Sequence, residues 1–358
     1  MTTADIIRQR LYNQQITEHK FKTPAQIVSY MLAMQAQEYA MAKWAIGLRV
    51  PGLTDADVEK AFNDGRILRT HLMRPTWHFV TPKDIRWLLE LTAPRVHAIN
   101  AYMYRQCHLD TRILKKSTDI IAGALEGKKH LTRDELKLHL EALKIKGDGV
   151  MMSCILMYAE LEQVICSGPR KGKQFTYALI DERVKATASM SHDEAIMEMA
   201  KRYFTSRGPA TCNDFAVWSG LPLKEIRLTA ADLPSYFIHE TIDGNEYIFS
   251  SKSKSKSGPE SSTFLMPDYD EYGMSYKDRT AIFDSRKYAT AKRDGNPIFN
   301  RMMIIDGVIQ GTWQRTIKNK TVAVETFPFA VLKTDAKSSL AIATEKFTSF
   351  VGQPKEND

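Results

Sequence analysis

A pattern of helix, tight turn, helix and two-stranded hairpin recurs three times along this chain, and that repetition constrains the fold more than any other feature. Apolar residues at helical spacing, separated by polar turn signals, mark each copy. In the first copy, a helix that begins at Thr54 and runs through Val58 and Phe62 passes Gly65 into ILRTHLMR (67–74). A strand-like TWHFV (76–80) follows, and TPKD (81–84) caps the next helix. In the second, Thr132-Arg133-Asp134-Glu135 is a capping box that opens an amphipathic helix to Leu143. A second helix runs from about Met151 through Leu156, Leu161 and Ile165, with a short strand at 164–167, a basic turn GPRKGK (168–173) and a strand at 175–179. In the third, Ser191 caps a helix stopped by Gly208-Pro209, Thr211 caps a short helix ending near Ser219, and another helix covers Leu223 to about Leu228. Strands at 237–242 and 247–249 are joined by Asp243-Gly244, a hairpin signal. This is the winged-helix plan, in which a recognition helix lies in a major groove and the wing reaches a phosphate or the minor groove. Helix–hairpin units also occur in α+β proteins that bind no nucleic acid; three copies, one with a basic wing, favour the DNA-binding reading.

Upstream, helices are expected over 4–14 and 25–34, and the helical run YAMAKWAIG (39–47) ends before Pro51-Gly52. Downstream, SSKSKSKSGPESS (250–262) reads as a solvated linker. Strands then follow at 264–266, 301–305, 308–313 and 321–326, closed by a helix from about Asp335 to Phe350. The expected class is α+β, with three tandem winged-helix motifs and a C-terminal β-rich, barrel-like module. The expected boundaries are 1–54 for an N-terminal helical segment, 55–131 for the first winged unit and following helices, 132–190 for the second, 191–250 for the third, and 263–358 for the β-rich module.

Composition narrows the class of function. The 358 residues are 43% hydrophobic and 26% charged, which is ordinary for a globular protein. The apolar stretches are short and interrupted by Lys, Arg or Gln, so no membrane span is expected, and no secretory signal is visible at the N-terminus. Cys107, Cys154, Cys166 and Cys212 form no CxxC pair, so neither a zinc site nor a disulfide framework is expected. A cytoplasmic location is expected. The net charge of +8 and pI of 9.1 suit a polyanionic partner, because each phosphate neutralised releases a counterion.

Five segments carry a resemblance. They are PAQIVSYMLAMQAQE (24–38), LRTHLMRPTWH (68–78), GPATCNDFAVWSG (208–220), LMPDYDEY (265–272) and IDGVIQGTWQR (305–315). In order and spacing they resemble the AlkZ-like DNA glycosylases, with YcaQ among the relatives; one departure is Pro75, where glycine is expected before Thr76. The resemblance implies three tandem winged helices forming a concave DNA-binding face and a C-terminal β-rich domain. It also implies excision of bulky N7-alkylated purines, unhooking of interstrand crosslinks, and a catalytic role that falls here on Gln35 and Gln37.

Two glutamines suffice for such a hydrolysis because an N7-alkylguanine already carries positive charge and departs neutral. What remains is to hold a water near C1′ and favour an oxocarbenium-like transition state with fixed dipoles. An amide oxygen accepts from that water and an amide NH2 donates to sugar or phosphate. On a helix, positions i and i+2 point about 200° apart, so convergence requires the helix to end or open near Ala36. The plainer alternative is that both glutamines satisfy exposed backbone at a helix end. Glu38 is a candidate base or a solvated charge.

The candidate DNA-contacting residues are Arg69, His71, Arg74 and His78 around Trp77, Arg170, Lys171 and Lys173 in the middle wing, Lys292 and Arg293 before Asn296, and Arg315. For each, a packed or merely soluble role stands beside the functional one. Asp268, Asp270 and Glu271 are expected to orient arginines rather than hold a metal; no metal and no cofactor are expected. The expected partner is double-stranded DNA, alkylated or crosslinked, bound by a monomer. The competing function is a winged-helix regulator without catalysis.

Overall fold

A computed structural model describes residues 1–252, 262–283, 301–318 and 321–352. Most of the linker expected over 250–262, and Lys292, Arg293 and Asn296, lie outside the described residues. The chain opens with α1 (Thr3–Asn13), α2 (Pro24–Met31), the short strand β1 (Met34–Gln35), α3 (Tyr39–Arg49) and α4 (Asp55–Asn63). A hairpin of β2 (Leu68–Leu72) and β3 (Thr76–Val80) leads to α5 (Ile85–Gln106) and α6 (Thr111–Leu125). Next come β4 (Leu131–Thr132), α7 (Arg133–Ala142), α8 (Gly149–Leu161), the hairpin β5 (Ile165–Ser167) with β6 (Thr176–Leu179), and α9 (Ile180–Arg183). Then follow α10 (His192–Arg207), α11 (Cys212–Ser219), α12 (Leu223–Ala231) and the hairpin β7 (Phe237–Ile242) with β8 (Asn245–Ser250). The rest is β9 (Thr263–Leu265), α13 (Glu271–Met274), β10 (Met302–Ile305), β11 (Val308–Lys318), β12 (Thr321–Pro328) and α14 (Thr334–Val351). Among the described residues, no helix is long and apolar enough to cross a membrane.

Packing gathers these elements into two compact units that cut across chain order: Met1–Glu59 with Met199–Trp218 and Pro222–Asp358, and Lys60–Glu198 with Ser219–Leu221. In the first unit, β12, β11, β10 and β9 form one antiparallel sheet in that order. Two tight turns set its register and that of β7–β8. Asp306-Gly307 and Asp243-Gly244 both hold positive φ at each position, 51° and 81° in one and 50° and 77° in the other, as a two-residue hairpin of this twist requires. Helix α14 lies against the sheet and α3 through Ala343, Phe347 and Phe350, which its helical period brings to one side. The Phe347 ring sits 5.2 Å from Trp44 and 4.8 Å from Trp313. Each indole NH is satisfied on the chain before α13, Trp44 on the Leu265 carbonyl and Trp313 on that of Met266.

The second unit is built round a cluster that includes Tyr104, Ile121, Leu125, Leu136, Leu140, Ile155 and Leu156. Thr132 and Glu135 form the expected capping box of α7, and β4 pairs with β6 so that the strand order is β4-β6-β5. Helix α8 stops at Leu161 rather than reaching Ile165, which pairs with Leu179 in the hairpin. The turn before β3 needs no glycine at Pro75, because Met73 supplies the positive φ of 58°.

Phe347 is fully buried between two indoles, so Phe347→Ala is expected to destabilise the fold by about 3–5 kcal/mol. Urea unfolding at neutral pH measures this; a loss below about 1 kcal/mol would show that the site collapses around the smaller side chain.

Candidate active site

The segment from Met31 to Glu38 is held by groups from far along the chain. Helix α2 ends at Met31 because Leu32 adopts φ 64°, and Gln35 lies on extended backbone. The helix expected over 25–34 thus ends three residues earlier, before both glutamines, instead of opening between them near Ala36. The physical reason is a buried ion pair. Arg207, the last residue of α10, donates from Nη1 to the Met31 carbonyl and from Nη2 to the Ala33 carbonyl, both at 2.8 Å. Glu271, the first residue of α13, accepts the Gln35 backbone N–H on Oε1 at 2.8 Å. Carbonyls that a helix end leaves open and the next free N–H therefore all find charged partners.

The pair itself is closed on the other side. Glu271 Oε2 accepts from Arg207 Nη2 at 2.8 Å, Ser275 Oγ at 2.7 Å and Trp218 Nε1 at 2.9 Å. The Trp218 ring lies 4.3 Å from the Arg207 guanidinium carbon. Burial alone would push the Glu271 carboxyl up; Arg207, Ser275 and the Gln35 N–H outweigh it and hold the carboxyl at about 2. Arg207 was not among the residues the sequence singled out. Its signal is an arginine in the last turn before a Gly-Pro stop, next to a family-like segment.

The neighbouring carboxylates behave as expected, each facing an arginine. Asp270 binds Arg49 through two bonds of 2.8 and 2.9 Å and also caps α13 by accepting from the Tyr272 N–H. Asp268 pairs with Arg301, whose Nε is 3.1 Å from Oδ2 in an ion pair and hydrogen-bonds Oδ1 at 3.3 Å. Burial raises the Asp268 carboxyl, Arg301 pulls it back and Glu38 adds to the rise. Arg315 Nη2 lies 3.7 Å from the exposed Glu38 carboxylate. Of the two glutamines, Gln35 is buried and Gln37 is exposed.

In the second unit, Arg69 and His71 converge and His78 does not join them. The Arg69 guanidinium is buried 4.1 Å from the Trp77 ring and 4.7 Å from that of Phe175, and His71 Nδ1 lies 2.5 Å from Glu160 Oε2. His78 is wholly buried with Nδ1 on the Thr76 carbonyl, and Arg74 is half-buried in the turn. In the middle wing, Arg170 covers Phe175 at 4.1 Å, exposed Lys171 pairs with Glu135 at 2.6 Å, and Lys173 is exposed. Glu160 and Phe175 went unread in the sequence, although a lone acid inside the apolar run of α8 is a usable signal.

The family model of DNA glycosylase AlkZ-like proteins matches residues 28–350. An interstrand DNA cross-link repair glycosylase from Streptomyces sahachiroi is 23% identical over 334 residues, covering 89% of each chain. The solved structure of Streptomyces sahachiroi DNA glycosylase AlkZ matches with a TM-score of 0.79 at 22% identity, over 97% of this chain and 96% of that one. A mixed α/β fold is therefore shared along nearly the whole length.

The Glu271 carboxyl lies near 2 in the folded chain against an ordinary 4.5. Its contribution to stability, about 3 kcal/mol, is therefore present above pH 4.5 and is lost as the pH falls towards 2. Glu271→Gln is expected to be less stable than the wild type by about 3 kcal/mol at pH 7, with the gap narrowing between pH 5 and 2.5 in urea titrations. A gap independent of pH would contradict this account of the pair.

Proposed function

The chain belongs to the DNA glycosylase AlkZ-like family, and on that premise we propose that it is a monofunctional glycosylase that hydrolyses the N-glycosidic bond of cationic N7-alkylated purines. The C1′–N9 bond breaks, the base departs neutral because its positive charge receives the bonding pair, and the water oxygen joins C1′ with loss of a proton. No strong base is needed, so amides serve: Gln35 and Gln37 hold the water and present fixed dipoles to the developing charge. The strand ends at Gln35 and the chain bends at Gln37, so the two side chains are free of the divergence of about 200° that a helix would impose. The observation that carries this reading is the buried Arg207–Glu271 clamp on the backbone at 31, 33 and 35, which fixes the segment in the non-helical form the chemistry requires.

Three runs of elements share one order and are proposed to act as winged helices. They are α2-β1-α3-α4-β2-β3, α6-β4-α7-α8-β5-β6, and α10 to β8, in which Ala210 takes the place of the short strand by bridging Ile248. The proposed modules are 1–54, 55–131, 132–190, 191–250 and 263–358, with the first run starting in the N-terminal segment at α2 and the second in the helices after the first unit at α6. The partner is double-stranded DNA gripped by a monomer in the cytoplasm, with no cofactor. Arg74, Arg170, Lys171, Lys173 and Arg315 are proposed phosphate contacts, and Lys292 and Arg293 are carried as sequence candidates. The Streptomyces sahachiroi relative is named for cross-link repair, and crosslinked purines are proposed as substrates here too.

Release of N7-methylguanine from alkylated duplex DNA tests the reading. The wild type is expected to release it, and Gln35→Ala and Gln37→Ala each to lower the rate by about 100-fold or more with duplex affinity kept. Duplex binding without release from either methylated or crosslinked DNA would leave a winged-helix regulator instead.

A further inference from the structure

The two segments that meet at the Gln35 N–H, 35–38 and 268–271, carry four carboxylates, and three of them are closed. Asp270 and Glu271 are buried on Arg49 and Arg207, and Asp268 is largely covered with Arg301 at 3.1 Å. Glu38 differs. Its side chain is 47% exposed, and its arginine partner, Arg315 on β11, stands 3.7 Å away, beyond hydrogen-bond length. Glu38 also occupies the N-cap position of α3 and makes no side-chain bond there. Its carboxylate is therefore not spent on its own helix start and is only loosely held across to the sheet.

An ion pair this open and this exposed contributes little. A phosphate accepts two parallel bonds from a guanidinium, so it outcompetes a carboxylate at such a distance. Arg315 is one of the phosphate contacts proposed above, and its turning to DNA changes the local balance. Glu38 and Asp268 stand against Arg301 and Arg315 as two negative charges to two positive; without Arg315 one negative charge is left over. The two acids share one neighbourhood, since Glu38 adds to the rise of the Asp268 carboxyl. Asp268 keeps Arg301, and the surplus falls on Glu38, next to Gln37 in the chain.

We propose that Glu38 is a specificity-determining residue for the glycosidic cleavage, its carboxylate released from Arg315 by a DNA phosphate to face the positive charge that passes from base to sugar. The inference rests on the glycosylase reading, which supplies that charge. No bond to Glu38 forms or breaks. As the C1′–N9 pair moves onto the base, the charge left on the sugar lies against a fixed negative charge, whereas Gln35 and Gln37 offer only dipoles. Arg315 thereby ties recognition to chemistry: it offsets Glu38 in the free protein and uncovers it on a duplex.

The test compares two duplexes by fluorescence anisotropy with the full chain: one carries a pyrrolidine abasic-site analogue, cationic at neutral pH, and the other its neutral tetrahydrofuran counterpart. The wild type is expected to bind the cationic analogue at least about tenfold more tightly, and Glu38→Gln to bind the two about equally while keeping its affinity for the neutral one. Arg315→Ala is expected to weaken both duplexes several-fold and keep the cationic preference, a result that a merely structural Glu38–Arg315 pair would not give. Glu38→Gln is further expected to slow N7-methylguanine release by about tenfold or more. Equal wild-type affinity for the two analogues, a preference that survives Glu38→Gln, or one that Arg315→Ala abolishes overturns the assignment. A chain that prefers the cationic analogue through Glu38 but excises nothing fails the glycosylase reading alone. One that excises while Glu38→Gln keeps both rate and preference fails this inference alone.

Discussion

The ion pair between Arg207 and Glu271 is the contact on which the candidate site depends. Moving two charges out of water is costly, and their mutual attraction offsets that only when every remaining donor and acceptor is answered. Here the guanidinium reaches two backbone carbonyls and Ser206 Oγ besides the carboxylate, while the carboxylate also takes the Gln35 N–H, Ser275 and Trp218. The partners come from α2, α10, α11 and α13, so the pair fixes four pieces of chain at once. It also explains a break that propensity would not produce. The carbonyls of Met31 and Ala33 gain charged donors that another turn of helix would have denied them.

The adjacent Asp270 shows how the pair is presented. Asp270 is tied to Arg49 from α3 and caps α13, and that short helix begins with Glu271. Two consecutive acids thus lead to two buried arginines on different helices, and neither carboxylate is left to act as a base. The second unit uses the same residue types differently. Arg69 lies against two aromatic faces, and Glu160 answers a histidine on one oxygen. One arrangement closes on backbone; the other leaves Glu160 Oε1 without a hydrogen-bond partner among the described residues.

Local chemistry was legible in the sequence, and long-range chemistry was not. Thr132 with Glu135 and Ser191 with Glu194 mark helix starts because a cap is decided within four residues. Asp243-Gly244 and Asp306-Gly307 mark hairpins because only positive φ fits such turns. The end of α2 was misplaced because its cause lies 174 or more residues away, in Arg207 and Glu271, and nothing in PAQIVSYMLAMQ announces it. The burial of Arg69 and His78 was equally hidden: a basic residue in a wing reads as exposed until the aromatic partner across the hairpin is placed. The grouping of the C-terminal sheet with the first helices is likewise a property of packing, not of chain order.

The clamp also bears on why a glutamine pair, rather than a carboxylate, suits this position. A carboxylate at residue 35 would stand one peptide from the Glu271 oxygen that accepts the backbone N–H, and the repulsion would fall on the group that holds the segment in place. An amide carries no net charge and leaves the pair undisturbed, while still offering an acceptor to water and donors to the sugar–phosphate. For the cationic substrate proposed, the lost basicity matters little, because the leaving group needs no proton. The backbone at 31, 33 and 35 is therefore held by Arg207 and Glu271, and the chemistry proposed for Gln35 and Gln37 falls on side chains that do not compete with them.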